Sequence, residues 1–306
     1  MPADTKPPPP TLWVRFTAAC SEIVTRLLFG IVNFPARFGK YHRSINLPYG
    51  ELPQQRLDVY FPLSSDSAPR ALVLFWHGGR WTFGDKRDYR FVGAMLASLG
   101  CVAVIPNYRH YPAVKMAGFM QDAARALAFA AAHAREFGAD EERVFLMGHS
   151  AGAHMAALLA LDSRYVTAAA PRAARIAGVV GLSGPYDFLP LNDADVQDMF
   201  GPPDSYLESQ PIHYAHAGAP PFLLIHGLKD DTVRPKNARN LAAALERAGV
   251  SVTLRLPEVG HAATAAALSQ LLSDRLSIRR DIATFLQPPT ITAQIPEEFP
   301  RAAYKR

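Results

Sequence analysis

The chain has 306 residues, 49% of them apolar and 19% charged, an ordinary balance for a globular protein with a substantial core. Its 32 basic and 27 acidic residues leave a net charge of +5, with no Lys/Arg run longer than two and no aromatic–basic interleaving, which argues against nucleic acid as a partner. Two cysteines, Cys20 and Cys101, make no disulfide framework and fit a reducing compartment such as the cytoplasm; with scattered histidines they offer no zinc-type spacing, so no metal and no cofactor are expected.

Met1 to Pro10 is polar, ends in four prolines and reads as an extended lead-in. Leu12 to Phe34 then reads as an amphipathic helix, with Leu12, Phe16, Cys20, Ile23, Leu27, Ile31 and Phe34 at steps of three and four and Arg15, Glu22 and Arg26 on the other side. Its longest uncharged run, Leu27 to Ala36, is too short to span a membrane, and charges interrupt any secretory signal. We expect this face to pack on the domain or on a partner subunit; a membrane-surface or site-covering role, which would make the protein peripheral to the membrane, is the sharper alternative.

From Arg43 the pattern turns to short β runs. Ser44 to Leu47 and Gln54 to Tyr60 predict an antiparallel pair around a turn at Pro48-Tyr49-Gly50. Ala71 to Trp76 is a continuous apolar run, as in a strand buried on both faces. Further strands are expected at Val102 to Ile105, Arg143 to Met147, Ile176 to Leu182, Phe222 to Ile225 and Val252 to Leu256. Helices are expected at Arg87 to Leu99, Phe119 to Phe137, His154 to Leu161, Pro235 to Ala248 and Thr264 to Leu286. Alternation of strands and helices after an antiparallel start predicts an α/β fold, a mostly parallel sheet covered on both faces. Residues 1–42 and 288–306 flank the domain expected over 43–287, and 184–219 reads as a cap-like excursion over the active-site face.

The chain is organised around Gly148-His149-Ser150-Ala151-Gly152, between an apolar strand and a helix. Glycine two residues either side of a serine permits a turn that holds the hydroxyl clear of the backbone at the strand's carboxyl end. A serine nucleophile needs a base, and the base an orienting acid. The loop after Phe222 to His226 supplies Asp230 and Asp231, and the loop after Val252 to Leu256 supplies His261; Ser, Asp, His is the chain order of such sheets. Asp187, after the strand Ile176 to Leu182, is an alternative acid with a turn or cap role as its ordinary reading. His77-Gly78-Gly79-Arg80-Trp81 follows the strand at 71–76, where glycines let backbone N–H groups reach a developing oxyanion together with the N–H of Ala151. Asp122 reads as a structural hydrogen-bonding residue, and His149 as packing within the elbow. Trp81, Tyr108 and Tyr186, with Phe83 and Phe188, are candidates to line an apolar substrate pocket, though aromatics there serve equally as core.

Gln55 to Tyr60, His77 to Trp81, Asn107-Tyr108-Arg109, Gly148 to His154 and His226 to Asp230 resemble α/β-hydrolase-fold carboxylesterases that carry a His-Gly-Gly-x-Trp oxyanion loop. That group includes bacterial feruloyl-esterase-like enzymes, isoprenylcysteine methylesterases and arylformamidases, and the resemblance runs over about residues 44 to 286. It implies a triad of Ser150, Asp230 and His261, the acid being four residues after His226, and oxyanion donors among Gly79, Arg80 and Ala151. Arg80 stands where related lipases and esterases carry a third glycine. The implied activity is hydrolysis of a small to medium apolar or aromatic ester through an acyl-enzyme. An arylformamidase-type amide hydrolase and a catalytically silent binding protein are the alternatives.

Overall fold

The computed structural model describes residues 27, 29–63, 70–169, 175–272 and 277–287. Its eight strands are β1 (Tyr41–Pro48), β2 (Arg56–Pro62), β3 (Arg70–Trp76), β4 (Val102–Pro106), β5 (Ala139–His149), β6 (Ile176–Leu182), β7 (Phe222–Ile225) and β8 (Val252–Arg255). They form one sheet in the order β1-β2-β4-β3-β5-β6-β7-β8. β2 runs antiparallel to β1 and to β4, and every other neighbouring pair is parallel.

Side chains of a strand alternate between faces, so a strand apolar at every position feeds two cores. On β3, Leu72, Leu74 and Trp76 enter one cluster, while Ala71, Val73 and Phe75 enter the other. Each large apolar side chain fully buried this way is worth ~1.5–3 kcal/mol. Helix α1 (Arg90–Ser98) lies on the Phe75 face through Phe91, Val92 and Met95. Helices α2 (Met116–Ala132) and α3 (Ala151–Leu161) lie on the Trp76 face. α3 is buried almost all round, which is why its sequence carries no Lys, Arg, Asp or Glu. Helices α4 (Ser163–Ala169), α5 (Ala194–Phe200), α6 (Lys236–Arg247), α7 (Ala263–Ala266) and α8 (Ile278–Leu286) complete the described chain, α6 on the Trp76 face and α8 on the Phe75 face.

The chain leaves β3 toward β4 on one side and leaves β5 toward β6 on the other. The neighbours β3 and β5 therefore flank the point where the winding direction reverses, the place where open α/β sheets bind their ligands. The His77–Trp81 loop and the Ser150 elbow follow these two strands.

Three expectations are corrected. The predicted helix Thr264 to Leu286 is not continuous: after α7 the N–H groups of Leu268 and Ser269 bond three residues back, to Ala265 and Ala266. Such bonds tighten and end a helix, and the Ser269 hydroxyl is held 2.6 Å from the Val32 carbonyl. α2 starts three residues earlier than expected and gives way to turns at His133, whose Nδ1 lies 2.8 Å from the Phe129 carbonyl. Most of the predicted helix Leu12 to Phe34 lies outside the described residues, and 29–33 are helical. There the buried side chains are Phe29 and Val32, whereas Leu27, Ile31 and Phe34, the expected packing face, are exposed. Phe29 wins this contact because its ring fits against those of Tyr89, Phe91 and His149. Among the described residues no helix is long and apolar enough to cross a membrane.

Candidate active site

Ser150 sits between β5 and α3 with φ 55° and ψ −120°, a conformation that costs a residue with a Cβ ~1–3 kcal/mol. The surroundings hold it there. Its N–H donates to the Leu182 carbonyl of β6 at 2.8 Å, and its carbonyl accepts from Ala153 and His154 in the first turn of α3. The flanking glycines are needed for clearance: a Cβ on Gly148 would stand 2.3 Å from the Gly152 backbone, and one on Gly152 would stand 2.0 Å from the Trp76 carbonyl oxygen. This close contact brings the elbow against the end of β3.

The β7 and β8 loops converge on the serine. Ser150 Oγ lies 2.9 Å from His261 Nε2, and His261 Nδ1 lies 2.7 Å from Asp230 Oδ2. A carboxylate only accepts, so Nδ1 carries the proton and Nε2 is free to accept from the serine hydroxyl. Burial pushes the Asp230 carboxyl up, but hydrogen bonds from His226 and His261, the His261 charge and the Val233 N–H outweigh it and hold it below the usual carboxylate range. Asp230 Oδ1 takes the N–H groups of Thr232 and Val233 at 3.0 and 2.8 Å. Asp231 is exposed, and the Asp187 carboxylate accepts from Asn240 on α6.

Sequence reasoning assigned no role to His226. Its Nε2 donates to the Val233 carbonyl at 2.7 Å and lies 3.3 Å from Asp230 Oδ2, so it braces the turn that aims the carboxylate. Its place at the end of a strand, four residues before Asp230, was the available signal.

Beyond β3, Gly79, Arg80 and Trp81 take φ values of 127°, 50° and 58° in succession. The Gly79 carbonyl turns away to accept from Thr82 and Phe83. Among the described residues the N–H groups of Gly79, Arg80 and Ala151 donate to nothing. A Cβ on Gly78 would stand 3.1 Å from Ser150 Cβ, so this loop abuts the serine. The Arg80 guanidinium does not crowd that space; it pairs with Asp193, the N-cap of α5, at 3.1 Å. A hydroxyl hydrogen-bonded to an oriented imidazole, beside unpaired N–H groups, can perform nucleophilic acyl transfer.

Three pocket expectations need correction, because Trp81, Tyr108 and Tyr186 are all buried. Tyr108 is buried behind the His77–Trp81 loop, its ring stacked on His77 at 4.5 Å and its hydroxyl donating to the His77 carbonyl, so it supports that loop instead of lining a pocket. Tyr186 is fully buried, its ring packed against Gly181 and Gly184. Trp81 is also largely buried, in a cluster with Phe119, His154, Phe188 and Phe200. In that cluster His154 Nε2 donates to the Ser209 carbonyl. Asp122 accepts from Gln55 and Arg109, the structural role expected of it.

The chain matches the BD-FAE family over residues 57–245. It is 33% identical over 244 residues to a protein of Mycobacterium tuberculosis named probable carboxylic ester hydrolase LipM, covering 72% of this chain and 56% of that one. It is 29% identical over 270 residues to a protein of Arabidopsis thaliana named probable isoprenylcysteine alpha-carbonyl methylesterase, covering 80% of this chain and 56% of that one. The chain thus spans a little over half the length of these two relatives. The crystal structure of esterase B from Lactobacillus rhamnosis superposes with a TM-score of 0.71 at 22% identity, over 90% of this chain and 95% of that one, a likeness of fold. Because the match at 57–245 takes in the strands from β2 to β7, the His77–Trp81 loop, the elbow and Asp230, the chain belongs to the BD-FAE family and has the α/β-hydrolase fold.

Proposed function

We propose that this chain is a serine carboxylester hydrolase that works through an acyl-enzyme. His261 takes the Ser150 proton as Oγ attacks the ester carbonyl, and the N–H groups of Gly79, Arg80 and Ala151 receive the oxyanion. A single such donor is typically worth ~3 kcal/mol of barrier. His261 then protonates the departing alcohol, and water attacks the acyl-serine with the same base. Asp230 keeps the imidazole in the working tautomer. The observation that carries this reading is the hydrogen-bonded line from Ser150 through His261 to Asp230, at 2.9 and 2.7 Å, beside three unpaired backbone donors.

Half-buried rings at Phe83, beside Gly79, and Phe188, beside Trp81, support a small to medium apolar or aromatic ester as substrate. In this reading residues 43–287 form the catalytic unit, flanked by 1–42 and 288–306, and 184–219 form a cap-like excursion. Arg80 with Asp193, Lys115 with Asp198 and His154 with Ser209 tie that excursion to the rest.

The test is a panel of p-nitrophenyl esters and aryl formamides assayed with wild type and Ser150→Ala. Ester turnover lost in Ser150→Ala, and one phosphonate adduct per chain mapped to Ser150, are expected. Preferred turnover of the formamides would make the chain an amidase, and no turnover at all would leave a silent binding protein.

A second reading concerns where the enzyme works, and we propose a membrane surface. Leu27, Ile31, Phe34 and Phe38 are 65%, 64%, 56% and 76% exposed on one short stretch. Arg37 and Lys40 are exposed beside them, and no Asp or Glu occurs between residues 23 and 50. Apolar side chains with basic neighbours suit an anionic lipid interface. Co-sedimentation with anionic vesicles should be lost in Ile31→Asp/Phe38→Asp; dimerisation abolished by the same changes, without vesicle binding, would instead make this face a subunit contact.

A further inference from the structure

We infer that Tyr89 and His149 form a brace between the oxyanion loop and the loop that carries His261, and so act as positioning residues for the reaction. The inference rests on the serine-esterase reading above. Tyr89 closes the short 3₁₀ turn before α1, and His149 precedes Ser150 at the end of β5. The Gly78 N–H points at the Tyr89 hydroxyl at 3.3 Å, that hydroxyl lies 3.3 Å from His149 Nδ1, and His149 Nε2 lies 3.2 Å from the His261 carbonyl oxygen.

Chemistry at the two ends sets the direction of the whole chain. A backbone N–H can only donate, and a carbonyl can only accept. Nε2 of His149 must therefore carry a proton to meet the His261 carbonyl, and burial keeps this imidazole neutral by lowering its pKa to about 3, with the His261 charge adding to the effect. A neutral ring with its proton on Nε2 has a bare Nδ1, which accepts from the Tyr89 O–H. The hydroxyl, having donated to His149, accepts from Gly78. Each link works only in this sense.

The brace acts on both halves of the machinery. Gly78 immediately precedes Gly79 and Arg80, whose N–H groups receive the oxyanion in the serine-esterase reading. The His261 carbonyl takes a second bond from the Thr264 hydroxyl at 3.0 Å, so its two lone pairs are used and the backbone under the base is fixed. Tyr89 and His149 are both buried, and the Phe29 ring packs against both. In such surroundings an unmade hydrogen bond is not replaced by water.

The experiment combines kinetics with nitrogen NMR of full-length, histidine-labelled protein, the His149 ring being assigned by its absence in His149→Gln. In wild type His149 should show a protonated Nε2 and a bare Nδ1 throughout neutral pH. In Tyr89→Phe the bare Nδ1 resonance should move downfield, as loss of a hydrogen-bond donor requires. Tyr89→Phe and His149→Gln should each lower kcat about three- to tenfold with KM unchanged, the worth of one neutral hydrogen bond. The double variant should be no worse than the poorer single variant, because both break one chain. A proton on Nδ1 of His149, or Tyr89→Phe with wild-type kcat, would overturn the brace, as would losses that simply multiply. If Ser150 takes no phosphonate and no ester is turned over, while Tyr89→Phe still moves the His149 resonance, the bonds stand and the esterase reading falls.

Discussion

His261 Nδ1 stands 2.7 Å from the Asp230 carboxylate, whose sequence neighbour Asp231 faces solvent. Adjacent side chains in a turn diverge, so one carboxylate serves the imidazole and the other does not. Asp230→Asn should lower kcat by about 10⁴, the cost known for the same replacement in a serine protease, because the imidazole loses its tautomer and its charge partner. Asp231→Asn and Asp187→Asn should lose at most about tenfold, as for residues outside such a triad. Steady-state kinetics on one ester decide the matter, and a crippled Asp187→Asn beside an active Asp230→Asn would move the acid to β6.

His226 supports that carboxylate from the other side, bonded to the Val233 carbonyl at 2.7 Å in the turn whose N–H groups hold Asp230. His226→Leu leaves a half-buried carbonyl without its partner, which should cost about 1 kcal/mol in denaturant unfolding. Catalysis should fall about tenfold, far less than in Asp230→Asn, because Asp230 keeps its bond to His261. Equal losses in the two variants would mean that His226 holds the acid in place by itself.

Stability should depend steeply on pH below neutrality. Burial lowers the pKa of His77 and His154 to about 4 and that of His149 to about 3. In the unfolded chain each returns to about 6.5. Above that value both states are neutral and nothing is lost. Between about 6.5 and 4 the unfolded state binds protons that the native state refuses, so stability falls as pH falls. Each such histidine contributes ~1.4 kcal/mol per pH unit. Urea midpoints from pH 7 to 4.5 should drop accordingly, and His154→Leu should lower the slope by about one proton. A slope unchanged in that variant would show His154 titrating normally.

The elbow tolerates no side chain at Gly152. Its Cβ would stand 2.0 Å from the Trp76 carbonyl and 2.7 Å from that of His77, and both belong to backbone that cannot yield without moving β3. Gly152→Ala should cost more than about 3 kcal/mol or leave no soluble protein. Gly100→Ala is the contrast: φ is +82° but nothing lies within 4 Å, so only the left-handed backbone is penalised, by ~1–2 kcal/mol. Thermal unfolding of the two variants should separate them clearly.

Local pattern determined a large part of this protein. A strand buried on both faces, such as β3, must be apolar at successive positions, and a turn as tight as Gly148 to Gly152 must be glycine-rich, so both are readable from neighbours in the chain. Ser, Asp, His is the chain order that the resemblance to α/β-hydrolases implies, and the folded sheet brings Ser150, His261 and Asp230 within hydrogen-bond distance of one another in turn. Contacts between distant segments are another matter. Tyr89 reaches His149 sixty residues away, Tyr108 lies behind His77, and Phe29 displaces Leu27, Ile31 and Phe34 from the core. An aromatic residue reads the same in sequence whether it lines a cleft or fills the space behind one. Which it does depends on the neighbours that close packing leaves it, and only the folded chain decides that.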